Sequence, residues 1–425
     1  MIIIVYSEEN EDSIKDNLGA PAYSYYFVLK SFLPALEQLG KVMVVEKPQD
    51  ADEIYAKANG EHCVFLSFTA PHETEINLKC PTIPVFAWEF YNIPDEFWDG
   101  DISNDWRFVL GKLGWAITHS RFTVESVQTA VRVDYPVISV PAPVWDGYAP
   151  ESAAEIGQVV DNFSLAVEGL SFDSRDCAVD DHLNGGELSK AISNEARQFD
   201  ITGITYTTIF NPIDGRKNWP ELMWAFCWAF KEQENATLIL KLAAHRADDM
   251  VDALLSDLSR ATPFKCRVIV IAGYLDQVNY DVLLNNTTYI VNASRGEGQC
   301  LPLMEYMARG KPAIAPKHTG MEDYIDESAA FIVRTSLEPS HWPHDPRHSY
   351  RTLRHRINWE SLIEAYEASY QVAVNDQQTY ASMGRRASEI LEQHCSLRVT
   401  VDKLRAFFDD HRTMSERYKQ RRNTG

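Results

Sequence analysis

Several features that would place a chain of 425 residues in a special class are absent from this sequence. Its longest strongly apolar run, from Leu222 to Phe230, is far shorter than the ~20 residues needed to span a bilayer. The first residues, MIIIVYSEEN, include an apolar run, but no basic region or small-residue cleavage site accompanies it, so we expect no signal peptide. We find no internal repeat or low-complexity segment. At ~100–200 residues per domain, the length predicts two or three globular domains.

Cysteine is sparse, and its seven copies stand singly along the chain. Because their number is odd and no Cys-x-x-Cys spacing occurs, the sequence indicates neither a disulfide framework nor a zinc ribbon. A reducing, cytoplasmic environment is the best match to this usage.

Positive charge is also in short supply, because 40 Lys and Arg residues stand against 61 Asp and Glu, for a formal net charge of −21. A surface this acidic repels a phosphate backbone, so we expect no nucleic-acid partner. A single nucleotide can still bind where a few cations and a helix terminus form a local positive pocket.

Two common nucleotide-binding motifs are missing as well. No Gly-x-Gly-x-x-Gly follows the first apolar run or occurs elsewhere, which counts against a nicotinamide-dependent dehydrogenase. No Gly-x-x-x-x-Gly-Lys-Ser/Thr occurs, which counts against a P-loop phosphotransferase. Both classes are therefore weaker alternatives.

What the chain does contain is an alternation of short apolar strands and helical stretches, in two separate halves. Strands are predicted in the first half at residues 1–7, 42–46, 63–68, 83–87, 115–118 and 137–140. Strands are predicted in the second half at residues 201–210, 237–242, 267–272, 289–292 and 312–315. Such alternation is typical of doubly wound parallel sheets. The predicted fold class is α/β, with two facing Rossmann-like domains at residues 1–148 and 200–395.

Two segments fall outside these domains. Residues 149–199 are predicted to be an insertion or linker, because residues 151–197 carry ten acidic and three basic residues with weak apolar periodicity. Residues 396–425 are predicted to be a C-terminal helix and basic tail. The basic stretch at 411–422 could contact an anionic membrane, although a solvated helix end is the favoured interpretation.

The strongest candidate site follows the strand predicted at 289–292. Glu297 stands between two glycines in the predicted strand-to-helix loop, and Pro302 suits the first turn of the helix that follows. The free N–H groups of that first turn form an anion site, and Glu305 lies close enough to share it. A solvated loop carboxylate and a surface carboxylate are the alternative reading of the two glutamates. The surrounding pattern of strand, loop and helix favours a binding site.

A basic pair, Arg216 and Lys217, follows the strand predicted at 201–210 and precedes a helix. Arginine as a planar fork and lysine as a point charge could together hold a diphosphate. Taken alone, the pair is better explained as an ordinary solvated surface.

The segment Glu297-Gly298-Gln299-Cys300-Leu301-Pro302-Leu303-Met304-Glu305-Tyr306-Met307-Ala308-Arg309-Gly310-Lys311-Pro312 resembles the signature of the retaining glycosyltransferases of family 4, which have the GT-B fold. That signature has two glutamates separated by seven residues. Gln299 and Cys300 depart from its usual Phe-Gly. A subset of the family also carries Arg-Lys-Asn together, as Arg216-Lys217-Asn218 does here.

The resemblance implies roles for these residues. Glu297 would contact the donor sugar and Glu305 the ribose hydroxyls of a nucleotide. Lys217 and Arg216 would bind the diphosphate. Backbone groups of the loop would approach the donor, and we assign to the same donor-binding set Gly298, Gln299, Cys300, Leu301 and Tyr274.

The N-terminal half resembles the family more loosely, around Trp88-Glu89 and the segment Ala116–Phe122. Glu89 stands where many relatives place a histidine at a strand end, and we include it among the catalytic candidates. Gly19, in the loop after the first strand, could allow backbone approach to a donor phosphate, although a plain turn glycine is an equal alternative.

Together these features predict an enzyme that moves a sugar from a nucleotide-sugar donor to a hydroxyl of a glycan or lipid-linked glycan, with retention at the anomeric carbon. Surface polysaccharide or glycoconjugate synthesis is the expected setting, in the cytoplasm or at the inner face of the membrane. The alternative is a catalytically inactive nucleotide-binding or scaffold protein of the same fold.

Two further clusters were weighed. Side chains of types that bind metals crowd into one decapeptide; these are His341, His344, Asp345 and His348. Prolines prevent a regular helix there, and the family that the sequence resembles needs no metal. We therefore expect no metal or other cofactor. Tryptophans also lie near the predicted N-terminal cleft. They could stack on sugar rings, although a place in the core is the favoured interpretation; these are Trp88, Trp98 and Trp106.

Overall fold

The chain forms two parallel sheets covered by helices, followed by helices that return to the first sheet. The structure is a computed structural model. It describes residues 1–14, 17–20, 23–152, 156–176, 192–244, 248–261, 263–272 and 275–423. Within the described residues, no helix is both long enough and apolar enough to cross a membrane.

The N-terminal sheet has six parallel strands in the order β2-β1-β3-β4-β5-β6. The strands are β1 Ile2–Ser7, β2 Lys41–Val44, β3 Cys63–Phe68, β4 Thr82–Phe86, β5 Ala116–Thr118 and β6 Val137–Ser139. The helices are α1 Tyr23–Glu37, α2 Asp50–Lys57, α3 Trp106–Leu113, α4 Arg121–Ala130 and α5 Trp145–Tyr148. Every residue of β3 is buried, as expected for an apolar strand covered on both faces.

The C-terminal sheet has seven strands in the order β15-β14-β13-β10-β11-β12-β8. Its strands are β8 Leu170–Asp173, β10 Ile204–Phe210, β11 Ala236–Leu242, β12 Arg267–Ala272, β13 Tyr289–Val291, β14 Ala313–Pro316 and β15 Ala330–Val333. The helices between them are α6 Trp219–Ala229, α7 Asp248–Arg260, α8 Gln277–Asn286 and α9 Leu301–Ala308. Only β8 runs antiparallel among the described strands of this sheet, at the edge beside β12.

The segment that the sequence predicted to be an insertion contributes to the second domain. β7 Asn162–Val167 pairs antiparallel with β9 Arg197–Thr202, and β8 extends the main sheet. The sequence showed no clear pattern there because β7 and β9 are only half-buried, so polar and apolar residues mix along them. A buried ion pair fixes the edge strand, since Arg267 on β12 donates to both carboxylate oxygens of Asp173.

The described chain ends in three helices, α10 Trp359–Asn375, α11 Gln377–Cys395 and α12 Leu397–Asn423, and α12 lies in the segment for which a C-terminal helix was predicted. These helices reach back to the first domain. Trp145 donates its indole N–H to Ser388 on α11, and Phe407 on α12 packs edge-to-face on Trp115. The two domains are therefore joined by a shared apolar cluster as well as by the chain.

A hairpin that the sequence did not predict also connects the domains. It consists of β16 Thr335–Ser340 and β17 Thr352–Ile357, which pair antiparallel. The two strands alternate irregularly between exposed and buried residues, which hid them from periodicity arguments. The predicted fold class, two doubly wound α/β domains with a helical C-terminal segment, is confirmed.

Candidate active site in the crevice between the domains

The order of the C-terminal strands determines where a ligand can bind. Relative to β10, the chain first winds outward through β11 and β12 and then returns to the other side of β10 through β13. The loops after β10 and β13 therefore diverge at the carboxyl end of the sheet and leave a crevice between them. The loop after β10 carries Lys217, and the loop after β13 carries Glu297.

The structure brings Lys217 and Glu297 into direct contact. Lys217 Nζ lies 2.8 Å from both Oε1 and Oε2 of Glu297. Ser294 Oγ donates to Oε1 of the same carboxylate at 2.5 Å, and Asn292 Nδ2 does so at 3.3 Å. Burial alone would raise the pKa of Glu297, but the charge of Lys217 lowers it below the usual value. Glu297 is therefore held as a buried, ionised carboxylate.

Arg216 contacts carboxylates from both domains. Its Nη2 donates to Asp214 Oδ2 at 2.6 Å, and its Nη1 forms an ion pair with Glu89. Glu89 follows β4 of the N-terminal sheet and is buried, so this pair crosses the crevice. Burial lowers the pKa of Arg216, and the neighbouring Glu297 opposes that shift. The catalytic candidates predicted from the sequence thus converge in one place.

The Gly-Glu-Gly loop packs closely against the N-terminal domain. A β-carbon at Gly298 would lie 2.6 Å from the β-carbon of Ala87, so glycine is required for this approach. Gln299 also crosses between the domains, since the Ala142 N–H donates to its Oε1 at 3.1 Å. The amide nitrogen of Gln299 is buried and has no hydrogen-bond partner among the described residues.

Cys300 shapes the last turn of this loop. It adopts φ +63° and ψ +74°, a left-handed conformation that non-glycine residues seldom take, and it precedes α9 directly. The signature that residues 297–312 resemble has glycine at this position, and here a cysteine adopts the left-handed conformation. Leu301 begins α9 and its N–H lies at the positive end of the helix dipole, while Pro302 has no N–H and the Met304 N–H donates to the Cys300 carbonyl oxygen at 3.2 Å.

Glu305 lies on the first turns of α9 and accepts a short hydrogen bond from the Tyr280 hydroxyl. Burial raises the pKa of Glu305 to about 7. Tyr280 comes from α8, a helix that packs beside α9 in the same apolar cluster. Glu305 therefore lies in a less polar part of the site than Glu297 does.

The loop after β1 reaches the crevice from the N-terminal side. Gly19 has φ +90°, and its carbonyl accepts from Asn211 Nδ2 of the second domain at 2.8 Å. A β-carbon there would lie 2.8 Å from the carbonyl oxygen of Ala243, so this glycine also permits a close approach. Tyr23, at the start of α1, lies close to the charges of Lys217 and Glu297, and burial raises its pKa.

Two histidines that the sequence analysis did not select lie behind the Glu297 loop. The rings of His318 and His355 stack with their centroids 4.0 Å apart. His318 Nε2 lies 3.1 Å from the carbonyl oxygen of Ser294. The backbone N–H of His355 donates to the carbonyl oxygen of Arg295 at 2.9 Å. Burial lowers the pKa of His318 to about 3, so it is neutral and supports the loop.

The remaining predictions about the site have separate outcomes. Tyr274 lies outside the described residues. In the decapeptide with three histidines, Asp345 binds Arg347 rather than facing its neighbouring histidines. Within the described part of the chain, no group of three or more His, Cys, Asp or Glu side chains is arranged to hold a metal ion.

The functional side chains that sequence reasoning missed are Tyr23, Asp214, Asn292, Ser294, His318 and His355. Asn292 and Ser294 directly follow a buried strand, which is a signal that could have identified them. Asp214 lies two residues before Arg216 in the same loop, so it too follows a buried strand. Tyr23, His318 and His355 reach the crevice through contacts between distant parts of the chain, for which the sequence offers no pattern.

No protein-family profile matches this sequence, and no curated protein is detectably similar to it. The fold, however, is shared with solved structures. A TarM variant from S. aureus, solved with fondaparinux, alpha-GlcNAc-glycerol and UDP, has a TM-score of 0.50 and 12% identity, covering 81% of this chain and 55% of TarM. This chain thus spans about half the length of TarM.

Two further structures cover nearly the whole of both chains. HepE from Anabaena, in complex with UDP and glucose, has a TM-score of 0.55 and 12% identity over 96% of this chain and 99% of its own. Sucrose-phosphate synthase from Thermosynechococcus elongatus has a TM-score of 0.53 and 11% identity over 100% and 99%. At such low identity the likeness establishes the architecture, and the fold of this protein is GT-B.

Proposed function

We propose that this protein is a glycosyltransferase that moves a sugar from a nucleotide-sugar donor to a hydroxyl group of a glycan acceptor. The observation that carries the proposal is the meeting of Lys217, Arg216 and Glu297 at the switch point of the C-terminal sheet, facing Glu89 across the crevice. Cations and a helix N-terminus beside a buried carboxylate suit a ligand that combines a diphosphate with a sugar.

The cations would act on the leaving group. Cleavage of the bond between the sugar and the diphosphate builds negative charge on the phosphate oxygens. Lys217, Arg216 and the N–H groups at the start of α9 would stabilise that charge more strongly in the transition state than in the bound donor. In the unliganded protein both cations are paired with carboxylates, so the donor phosphates would take over part of these contacts.

Glu297 would orient the donor sugar by accepting hydrogen bonds from its hydroxyl groups. Its ionised state fits that role, because a carboxylate only accepts. Glu305 would accept from the ribose hydroxyls. Retention at the anomeric carbon is proposed from the resemblance of residues 297–312 to the retaining transferases of family 4, in whose generally proposed mechanism the leaving phosphate accepts the acceptor's proton.

The acceptor would approach from the N-terminal domain, where Glu89 lies. HepE was solved with UDP and glucose, and TarM with UDP and alpha-GlcNAc-glycerol, so UDP is the first nucleotide to test. A role in surface polysaccharide or glycoconjugate synthesis, a lipid-linked acceptor, a cytoplasmic location and contact of the basic tail with a membrane remain predictions from the sequence.

The test has two stages. Thermal shift with UDP, GDP, ADP and dTDP should identify one nucleoside diphosphate that raises the melting temperature, by an amount that grows with concentration. Hydrolysis of the matching nucleotide-sugars should then be lost in Lys217→Ala and Glu297→Ala. Wild-type rates in both variants would show that the site is assigned wrongly. The absence of any shift with all four nucleotides would favour the alternative, a scaffold that keeps the fold.

A further inference from the structure

The β16–β17 hairpin inserts its tip into an aromatic cluster of the N-terminal domain. We call residues 341–348 the tip, and we call His72, Trp88, Trp98 and Trp106 the aromatic box. His344 of the tip stacks on His72 with centroids 4.3 Å apart and planes 11° apart. It also lies parallel to Trp106, at 5.6 Å and 3°. The rings of His72 and Trp106 are themselves nearly parallel and 5.8 Å apart, so the imidazole of His344 packs beside both of them, in a space that we call the slot.

A second ring of the tip packs on the same box. Trp342 stacks on Trp98 with centroids 6.0 Å apart and planes 20° apart, and His344 lies 5.6 Å from the same indole. Trp342 and Trp106 are both almost completely buried. Two flat rings from one domain therefore fill space lined by flat rings of the other.

The polar atoms of these rings are only partly satisfied, since Trp88 Nε1 donates to the Asn92 carbonyl oxygen at 3.0 Å while other ring nitrogens lack a partner. Four buried nitrogens have no hydrogen-bond partner among the described residues; these are His72 Nδ1, His344 Nε2, Trp106 Nε1 and Trp342 Nε1. Burying a donor or acceptor without a partner costs free energy, so such groups are normally paired. Four of them in one cluster indicate an arrangement that a ligand with hydroxyl groups would improve.

The base of the tip is held in a different way. Arg347 and Arg351 each form an ion pair with Glu96, at 3.0 and 2.8 Å, and Asn92 Nδ2 donates to the Arg351 carbonyl at 3.1 Å. The rings of the tip therefore rest on stacking, and of the polar anchors Arg347 also lies over the Trp98 ring, 4.9 Å from its centroid. Withdrawal of His344 from its slot would break no hydrogen bond to the box.

The box adjoins the candidate active site. Trp88 directly precedes Glu89, the residue paired with Arg216 across the crevice. The hairpin that carries the tip also touches the loop of Glu297, since the His355 N–H donates to the carbonyl oxygen of Arg295. The box thus lies on the N-terminal side of the crevice.

We propose that the aromatic box is a subsite for one sugar ring of the acceptor, and that His344 occupies this subsite in the unliganded protein. The inference rests on the proposed function, which places a glycan acceptor on this side. A pyranose ring has an apolar C–H face that stacks on indole, and its hydroxyl groups would pair with the free indole and imidazole nitrogens. Because His344 must leave the slot before a sugar can enter, only the fraction of protein molecules with an open slot can bind. The apparent affinity for sugar is lower by that fraction.

The experiment opens the slot without removing the box. Methyl glycosides of glucose, galactose, mannose and N-acetylglucosamine are titrated against wild type, His344→Gly and His344→Phe, with tryptophan fluorescence as the readout. We expect His344→Gly to bind one glycoside about 10-fold more tightly than wild type, because no ring must be displaced. His344→Phe still fills the slot, so its affinity should not exceed that of wild type. His344→Ala is the second opening variant and should behave like His344→Gly.

A second pair of variants tests the box itself. In the His344→Gly background, Trp98→Ala should abolish the gain in glycoside affinity. Trp228→Ala is the matched control, because Trp228 is an exposed tryptophan on α6, and it should preserve the gain. Two results would overturn the subsite. One is equal glycoside affinity in His344→Gly, His344→Ala and His344→Phe, and the other is an equal loss of the affinity gain with Trp98→Ala and Trp228→Ala. Either result would mean that the tip only packs against the box and is not displaced by sugar.

Failure of the subsite is distinguishable from failure of the proposed function. The glycoside titration contains no nucleotide, and the thermal shift with nucleoside diphosphates contains no sugar acceptor. The subsite alone would be refuted if a nucleoside diphosphate raised the melting temperature but His344→Gly bound no glycoside more tightly than wild type. No response of either wild type or His344→Gly to any nucleoside diphosphate would count against the proposed function.

Discussion

Lys217 Nζ lies 2.8 Å from each carboxylate oxygen of Glu297, so the two residues that follow β10 and β13 form a two-point ion pair at the switch point of the sheet. Both groups are taken partly out of water, and each would be an uncompensated charge without the other. The pair therefore serves stability as well as any chemistry at the site.

Lys217→Ala should reduce the rate of donor cleavage by about 10²–10³-fold, the usual effect of removing one group that stabilises developing charge. It should also lower the melting temperature, because Glu297 would stay buried without its cation. Steady-state hydrolysis of the nucleotide-sugar and a thermal melt measure the two effects. Lys265→Ala, which removes a half-exposed lysine paired with Glu232, is the control and should change neither.

Glu89→Gln should strengthen nucleotide binding while weakening transfer to an acceptor. The carboxylate of Glu89 competes with phosphate for Arg216, and the amide would not. We expect a lower Kd for the nucleoside diphosphate, measured by calorimetry. Glu96→Gln is the matched control, since Glu96 also pairs across the domains but with Arg347 and Arg351. The prediction would be contradicted if the Kd of Glu89→Gln for the nucleoside diphosphate were equal to or higher than that of wild type.

Glu305 should contribute stability that is lost as pH rises from about 4.5 to about 7. Burial raises the pKa of this carboxyl group to about 7 in the folded chain, so the folded state retains a proton that the unfolded chain has already lost. Below pH 4.5 both states are protonated and this contribution is fully present. From pH 4.5 to 7 the melting temperature of Glu305→Gln should fall less, or rise more, than that of wild type, whereas Glu364→Gln, at an exposed glutamate, should follow wild type.

Acid should destabilise the contact between the hairpin tip and the aromatic box. Burial lowers the pKa of His72 to about 4 and that of His344 to about 3, so both rings are neutral where the unfolded chain is protonated. Their contribution is complete above pH 6.5 and is lost as pH falls toward 4. His344→Phe cannot take up this proton, and its melting temperature should decline less over that range than that of wild type.

Gly298→Ala should lower the free energy of unfolding by about 1–3 kcal/mol, since the added β-carbon would overlap Ala87 of the other domain. Donor hydrolysis should fall with it, because the loop carries Glu297. Urea titration measures the first effect. Gly111→Ala on α3 is the control, because nothing lies within 4 Å of its added carbon and alanine favours a helix. Equal effects of the two substitutions would show that the loop is not closely packed.

Most strands of both sheets could be predicted because they are buried on both faces. Such a strand reads as a continuous apolar run, and β3 and β12 begin and end where the sequence indicated. The strand pair β7–β9 and the hairpin β16–β17 could not be predicted in full, since these four strands each expose part of a face and lack that signal. Their positions depend on what packs beside them.

The residues of the candidate site, like the strands, could be predicted from the sequence only in part. Glu297 and Lys217 were identified from loops that follow apolar strands, because a doubly wound sheet places ligands at the carboxyl ends of its strands. The pairing of Arg216 with Glu89 was not predictable, since these residues stand 127 positions apart in different domains and no local pattern connects them.

The sequence by itself determined the α/β class, the two domains and the loops that carry the charged groups, because burial and helix starts leave local patterns in the chain. Only the tertiary structure decided that Lys217 faces Glu297, that Glu305 lies beside Tyr280, and that the hairpin tip fills the aromatic box. Those contacts depend on strand order and on the approach of two domains. The physical reason is that distance along the chain carries no information about distance across a crevice.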